Sequence, residues 1–157
     1  MNYFKDGEIE GVVIKKLESY SDNRGWLMEL FRRDDPELVS GFEPLMSYIS
    51  VTHPDVTRGP HEHKEQTDYF CFLGKFSLFL WDNRVGSPTY NNRKVIENAD
   101  RLIVIVPPGI VHAYKNIGGE DAMVLNFPDR LYAGWGKKEK VDEIRYENDT
   151  ETPFRIE

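Results

Sequence analysis

Two-residue periodicity constrains this chain more than any other feature. Apolar and polar residues alternate in short runs that recur about every ten residues. The clearest runs cover 69–73, 76–81, 102–106 and 122–127, with Gly, Pro, Asn or Asp between them. Such alternation turns one face of each run inward and the other outward. The spacing favours an all-β sandwich or barrel over alternating βαβ units. Gly74-Lys75 separates two of the runs and reads as a hairpin turn. Residues 26–31 and 45–51 are further dense apolar runs, and 9–17 alternates more weakly around Val12-Val13-Ile14. Helix is expected to be scarce. Asp35-Pro36-Glu37-Leu38-Val39 suits one helical turn, with its proline early, and the charged stretch 137–148 reads as either helical or loose.

No repeat or linker divides the 157 residues, so one domain over 1–157 is expected, with 137–157 as a C-terminal extension. The apolar fraction of 39%, with 13% aromatic residues, suits a folded core. No run approaches the ~18 apolar residues of a membrane helix, and the opening MNYFKDGEIE lacks the apolar centre of a secretory signal. Cys71 is the single cysteine, which excludes an intrachain disulfide and a cysteine-based metal cluster. These features predict a cytoplasmic protein with no membrane partner. Lys+Arg 20 against Asp+Glu 27 gives a net charge of −7, the wrong balance for a protein that coats nucleic-acid phosphates. A small anion remains compatible, because a few local arginines can hold one.

The chain's four histidines are at positions 53, 61, 63 and 112. His61 and His63 lie in Arg58-Gly59-Pro60-His61-Glu62-His63-Lys64, and at i and i+2 on a strand they share a face. His112 follows Pro107-Pro108-Gly109-Ile110-Val111, a turn that launches the next strand. Together the two segments resemble the paired motifs of the cupin superfamily, whose histidines meet inside a small antiparallel double-stranded β-helix, or jelly-roll barrel. The glycine that the first motif carries six residues before its first histidine is Asp55 here, and Gln66, Thr67 or Asp68 stands in place of its glutamate.

A longer resemblance narrows the family. Asp22-Asn23-Arg24-Gly25-Trp26-Leu27-Met28-Glu29 is similar to the Asp-x-Arg-Gly-x-x-x-Glu opening of the dTDP-4-dehydrorhamnose 3,5-epimerases. Arg58-Gly59-Pro60-His61, Gln66 and Gly74 follow the same family, and Asp82-Asn83-Arg84-Val85-Gly86-Ser87-Pro88-Thr89 matches its Asp-x-Arg-x-x-Ser-Pro-Thr in full spacing. The resemblance spans roughly residues 9 to 150 and implies epimerisation of a 4-keto-6-deoxy sugar on a nucleoside diphosphate. It also implies a homodimer, to which residues 1–35 contribute a sheet strand around Val12-Val13-Ile14. It aligns His61 with the catalytic base. Arg58 aligns with a diphosphate- or sugar-facing arginine, and Arg24 and Glu29 with nucleotide contacts, Arg24 reaching in from the neighbouring subunit. His63, Gln66, His112 and Tyr132 become further substrate-binding positions. Arg84 and Ser87 read as loop-fixing residues. No cofactor is implied.

Three departures stand out. The family's enolate-stabilising lysine is Thr67 or Asp68 here, its protonating tyrosine falls at about Asn126, and Asp142 is a poor positional substitute for the C-terminal aspartate that orients the base. His63, Lys64, Tyr69 and Tyr114 are the other proton donors on offer. Residues 58–64 also resemble the Arg-Gly-x-His-x-His-Lys string of nucleotide-sugar 3,4-ketoisomerases. Two alternatives come from other classes. A metal-dependent cupin would bind one divalent transition metal through His61, His63, His112 and Gln66, and a non-catalytic cupin would bind the nucleotide sugar only.

Overall fold

The computed structural model describes residues 3–156; positions 1, 2 and 157 of the expected unit lie outside the described residues. The strands are β1 (Lys5–Asp6), β2 (Val13–Lys16), β3 (Ser19–Asp22), β4 (Gly25–Met28), β5 (Tyr48–Thr52), β6 (Thr57–Glu62), β7 (Asp68–Leu73), β8 (Phe76–Asp82), β9 (Asn92–Ile96), β10 (Leu102–Val106), β11 (Ile110–Asn116), β12 (Ala122–Asn126) and β13 (Ile144–Arg145). Sheet A runs β1-β9-β8-β11-β6-β13, and sheet B runs β2-β10-β7-β12-β5. All pairings are antiparallel except the short β1–β9 pair. This is the jelly-roll expected from the sequence.

The inner faces of the two sheets close on Phe70, Phe72, Val104 and Val124 from sheet B and on Phe76, Leu78, Leu80 and Ile110 from sheet A. Each such side chain contributes about 1.5–3 kcal/mol when fully withdrawn from water. The outer faces are covered as well. Met28, Leu30, Phe31, Leu38 and Phe42 pack over Tyr69, Cys71, Ile103 and Ile105. Phe4, Tyr146, Phe154 and Ile156 do the same over Phe79, Trp81, Val111 and Ala113.

Three local expectations are corrected. Gly74-Lys75 is not a hairpin turn: it carries the chain from β7 in sheet B to β8 in sheet A. Gly74 has φ +130, and a Cβ there would stand 2.5 Å from the Cβ of Ala122, so only glycine makes that corner. Residues 35–39 form turns rather than a helical turn, with Leu38 donating to the Asp35 carbonyl; the single helical element among the described residues is the 3₁₀ turn Trp135–Lys137. The C-terminal stretch is part of the barrel, since β13 extends sheet A beside β6 and Phe154 is buried against Trp81.

Candidate active site

β6 and β11 pair with one irregularity. His61 lies opposite His112 and Arg58 opposite Tyr114, so three steps on β6 match two on β11. On a regular strand, residues three apart face opposite sides. The bulge at Gly59-Pro60 absorbs the extra residue and turns Arg58 and His61 into the same cavity. Gly59 has φ +85, and a Cβ there would meet the His112 carbonyl at 2.5 Å, so the two strands approach this closely only at glycine. The Gly59–Pro60 bond is cis.

The cavity holds about 460 Å³ between the two sheets, at the β6–β13 side of sheet A and the β5 edge of sheet B. His61, His63, Arg58 and Tyr114 line it from sheet A and its following loop, and Tyr48 and Ser50 from sheet B. Gln66, Arg130, Tyr132, Glu143 and Arg145 complete the wall. The three imidazoles cluster: ring centroids are 4.4 Å apart for His61 and His112 and 5.6 Å for His61 and His63. Asp68, at the start of β7, faces them from sheet B, its Oδ2 lying 3.2 Å from His63 Nε2 and 3.3 Å from His112 Nε2. Its Oδ1 accepts hydrogen bonds from Asn126 (2.7 Å) and Gln66 (2.8 Å). Asp68 on β7 and Asn126 on β12 are thus joined as a carboxylate and an amide behind the imidazoles.

These surroundings separate the two neighbouring histidines. Burial, followed by the adjacent His112 and His63, pushes His61 down to about 2, so it is neutral at physiological pH. Burial also works against the charged form of His63. The Asp68 carboxylate, 3.2 Å from Nε2, with the Asp142 carbonyl on Nδ1, outweighs it and lifts His63 to about 9. Asp68 is itself held below the usual carboxylate range: burial opposes its ionisation, and His63 overcomes that.

The C-terminal stretch supplies what position along the chain concealed. Asp142 accepts backbone N–H bonds from Lys64 (2.8 Å), Glu65 (2.9 Å) and Gln66 (3.0 Å), and its carbonyl meets His63 Nδ1. The carboxylate nearest His61 is the next residue, Glu143, at 3.9 Å from Nε2. Neither role was legible in the sequence, although the alternation in Ile144-Arg145-Tyr146 is the signal that would have placed a strand here.

Other expected site residues divide clearly. Arg58 lines the cavity and is held by Thr52 Oγ1 (3.0 Å) and the Val51 carbonyl (2.7 Å). Tyr132 sits at the rim, 55% exposed. Arg24 and Glu29 do not line this chain's cavity. Arg24 is at the tip of the exposed β3–β4 hairpin, bonded to Asp22, and Glu29 pairs with Arg32 beside a shallow groove. Asp82, fully buried, accepts from Arg84, Ser87 and Thr89, so that string fixes a loop. The imidazole nitrogens of His61, His63 and His112 lie within 4.8 Å of one another, close enough to share a cation. The fourth ligand expected of a metal site departs from that scheme: Gln66 turns its amide nitrogen toward His63 and Asp68, and the oxygen beside the imidazoles is Asp68 Oδ2.

The match to the family described as dTDP-4-dehydrorhamnose 3,5-epimerase covers residues 6–147. This chain belongs to that family. It is 36% identical over 128 residues to the probable low-salt glycan biosynthesis epimerase Agl13 of Haloferax volcanii, covering 79% of this chain and 81% of the relative. It is 31% identical over 147 residues to the spore coat polysaccharide biosynthesis protein SpsL of Bacillus subtilis, covering 92% and 93%. Its fold superposes on a dTDP sugar isomerase from Desulfovibrio desulfuricans with a TM-score of 0.80 at 19% identity, covering 95% of this chain and 91% of that one. The family is thus one of carbohydrate epimerases, a class of isomerase.

Proposed function

We propose that this chain epimerises a nucleoside-diphosphate 4-keto-6-deoxyhexose, with His61 as the base that removes a proton from a carbon beside the ketone. The observation that carries the reading is the placement of His61: an imidazole on a cavity wall, with Arg58 turned to the same side by the bulge. Removing a C–H proton needs an acceptor that is unprotonated at working pH, and burial keeps His61 in that form. The enolate that results needs nearby positive charge, and imidazolium His63 and Arg58 supply it. Arg130 and Arg145 add guanidinium groups to the wall for the diphosphate. Glu143, 3.9 Å from Nε2, offsets the positive charge of His61 once it is protonated.

A homodimer belongs to the same reading. β2 is paired on one side only, and Trp26 and Leu27 on the neighbouring hairpin are 61% and 60% exposed, a surface suited to a second copy. That arrangement would carry Arg24 toward a partner's cavity. A cytoplasmic location fits a nucleotide-sugar substrate. Among the described residues, no helix is long and apolar enough to cross a membrane.

Solvent-deuterium incorporation into dTDP-4-keto-6-deoxyglucose tests the function. The protein should place label at a carbon next to the ketone, and His61→Asn should abolish it while the nucleotide still raises the melting temperature. Thermal protection without any label from the unsubstituted protein would leave only a binding role.

A further inference from the structure

Inversion beside a ketone needs two groups on opposite faces of the enolate, one to take a proton and one to return it. On the reading above, on which this inference rests, His61 takes the proton, and it stands on sheet A. The returning acid must therefore reach the sugar from sheet B. Tyr114 does not meet that requirement. It lies on β11, beside β6 in sheet A, with its ring among Phe70, Phe72 and Phe76. Tyr69 points to the other side of sheet B, where its hydroxyl donates to the Leu30 carbonyl. Lys64 is exposed and does not line the cavity.

Tyr48 does meet it. It opens β5, at the edge of sheet B, and lines the cavity that His61 lines from the other sheet. Its register partner on β12 is Asn126. The Asn126 amide has a defined orientation, because its Oδ1 accepts the Tyr69 backbone N–H at 3.0 Å. Nδ2 is thus the donor, to Asp68 Oδ1 and, at 3.0 Å, to the Tyr48 hydroxyl oxygen. The phenol acts there as acceptor, and its own hydrogen remains to be given. Burial raises the phenol above its ordinary range, so the proton is still in place at neutral pH.

We propose that Tyr48 is the catalytic acid that returns a proton to the substrate from the face opposite His61. His61 takes the proton, and the electrons of the broken C–H bond pass into the enolate. The enolate carbon then forms a new C–H bond with the Tyr48 hydroxyl proton. Imidazolium and phenolate remain, and water at the cavity mouth resets both, since Tyr48 is 43% exposed.

The test follows exchange and inversion separately on dTDP-4-keto-6-deoxyglucose in deuterated water. Tyr48→Phe sits on an edge strand that tolerates the loss of a hydroxyl. It should keep label incorporation by His61 on the original face and lose inverted product by at least about 10²-fold. Tyr69→Phe, whose hydroxyl lies on the outer side of sheet B, should invert within a few-fold of the unsubstituted protein. Full inversion by Tyr48→Phe overturns the assignment, as does loss of exchange together with inversion in a variant that still melts cooperatively and is protected by the nucleotide. Loss of inversion in Tyr69→Phe instead also overturns it. If the unsubstituted protein shows no exchange at all, the proposed function itself fails and takes this assignment with it.

Discussion

His63 Nε2 faces Asp68 Oδ2 at 3.2 Å across the gap between the two sheets, with both side chains almost withdrawn from water. The partner of this histidine on its own ribbon, His61, has no comparable carboxylate, its nearest being Glu143 at 3.9 Å. One ribbon therefore presents a neutral imidazole and a charged one side by side. Paired groups driven apart in this way are the usual arrangement of a base and its electrostatic support.

Stability should carry the mark of the His63–Asp68 pair. His63 is lifted from 6.5 to about 9 in the folded state. The folded chain therefore holds a proton that the unfolded chain releases in that window. The stabilisation is complete below the unfolded value and is lost as pH rises through the folded one. Thermal denaturation between about pH 6 and pH 9.5 should show the melting temperature falling over that range. Asp68→Asn should flatten the slope and cost about 3–5 kcal/mol, the penalty for stranding one member of a buried pair. An unchanged slope in the variant would remove His63 as its source.

The rate profile should lack the acid limb expected of an ordinary histidine. An imidazole titrating at about 6.5 loses roughly tenfold of its basic form for each pH unit below that value. His61 is pushed down to about 2, so deuterium exchange should persist as pH falls through 6 and 5 until the fold itself gives way. Folding limits the range because unfolded His61 protonates first, which favours the unfolded chain increasingly below 6.5. An acid limb centred near 6.5 in a protein that remains folded would show either that His61 is hydrated in solution or that another residue is the base.

The barrel was legible because its cause is local: alternation at period two shows in any short window, and the expected strands 69–73, 76–81, 102–106 and 122–127 all formed within a residue of their ends. Gly74 shows where local reading stops. A two-residue gap between strands is the same string whether the chain folds back on one sheet or crosses to the other, and only the pairing of β7 and β8 with other strands tells the two apart. The site divides in the same way. His61 and His63 share a face by spacing alone. Arg58 joins them through a bulge that regular alternation does not predict. Glu143 and Tyr48 reach the cavity only through the pairing of β13 with β6 and the place of β5 at the edge of sheet B.

Gly59→Ala tests that bulge. The added methyl would lie 2.5 Å from the His112 carbonyl at a φ of +85, so the strands must separate. Strain of this kind costs about 1–3 kcal/mol. Arg58 and His61 would no longer face the cavity together, so deuterium exchange should fall by more than the melting temperature alone would explain. A variant that loses stability but exchanges at the original rate would show that the bulge serves packing and not the alignment of the two side chains.

Asp142 offers a separate test of the loop that carries Gln66. Its carboxylate gathers three backbone N–H groups from residues 64–66, and those bonds, offsetting burial, hold it below the ordinary carboxylate range. Asp142→Ala leaves those donors without their acceptor, at a cost of about 1–3 kcal/mol for each one that water cannot reach. The backbone carbonyl facing His63 Nδ1 is unaltered by the substitution, so His63 should keep its proton. The variant should therefore melt earlier and bind the nucleotide sugar more weakly, with KM rising more than kcat falls, because Gln66 lies on the cavity wall and His61 is on the neighbouring strand. Equal loss in both constants would instead place the 64–66 loop in the proton-transfer step.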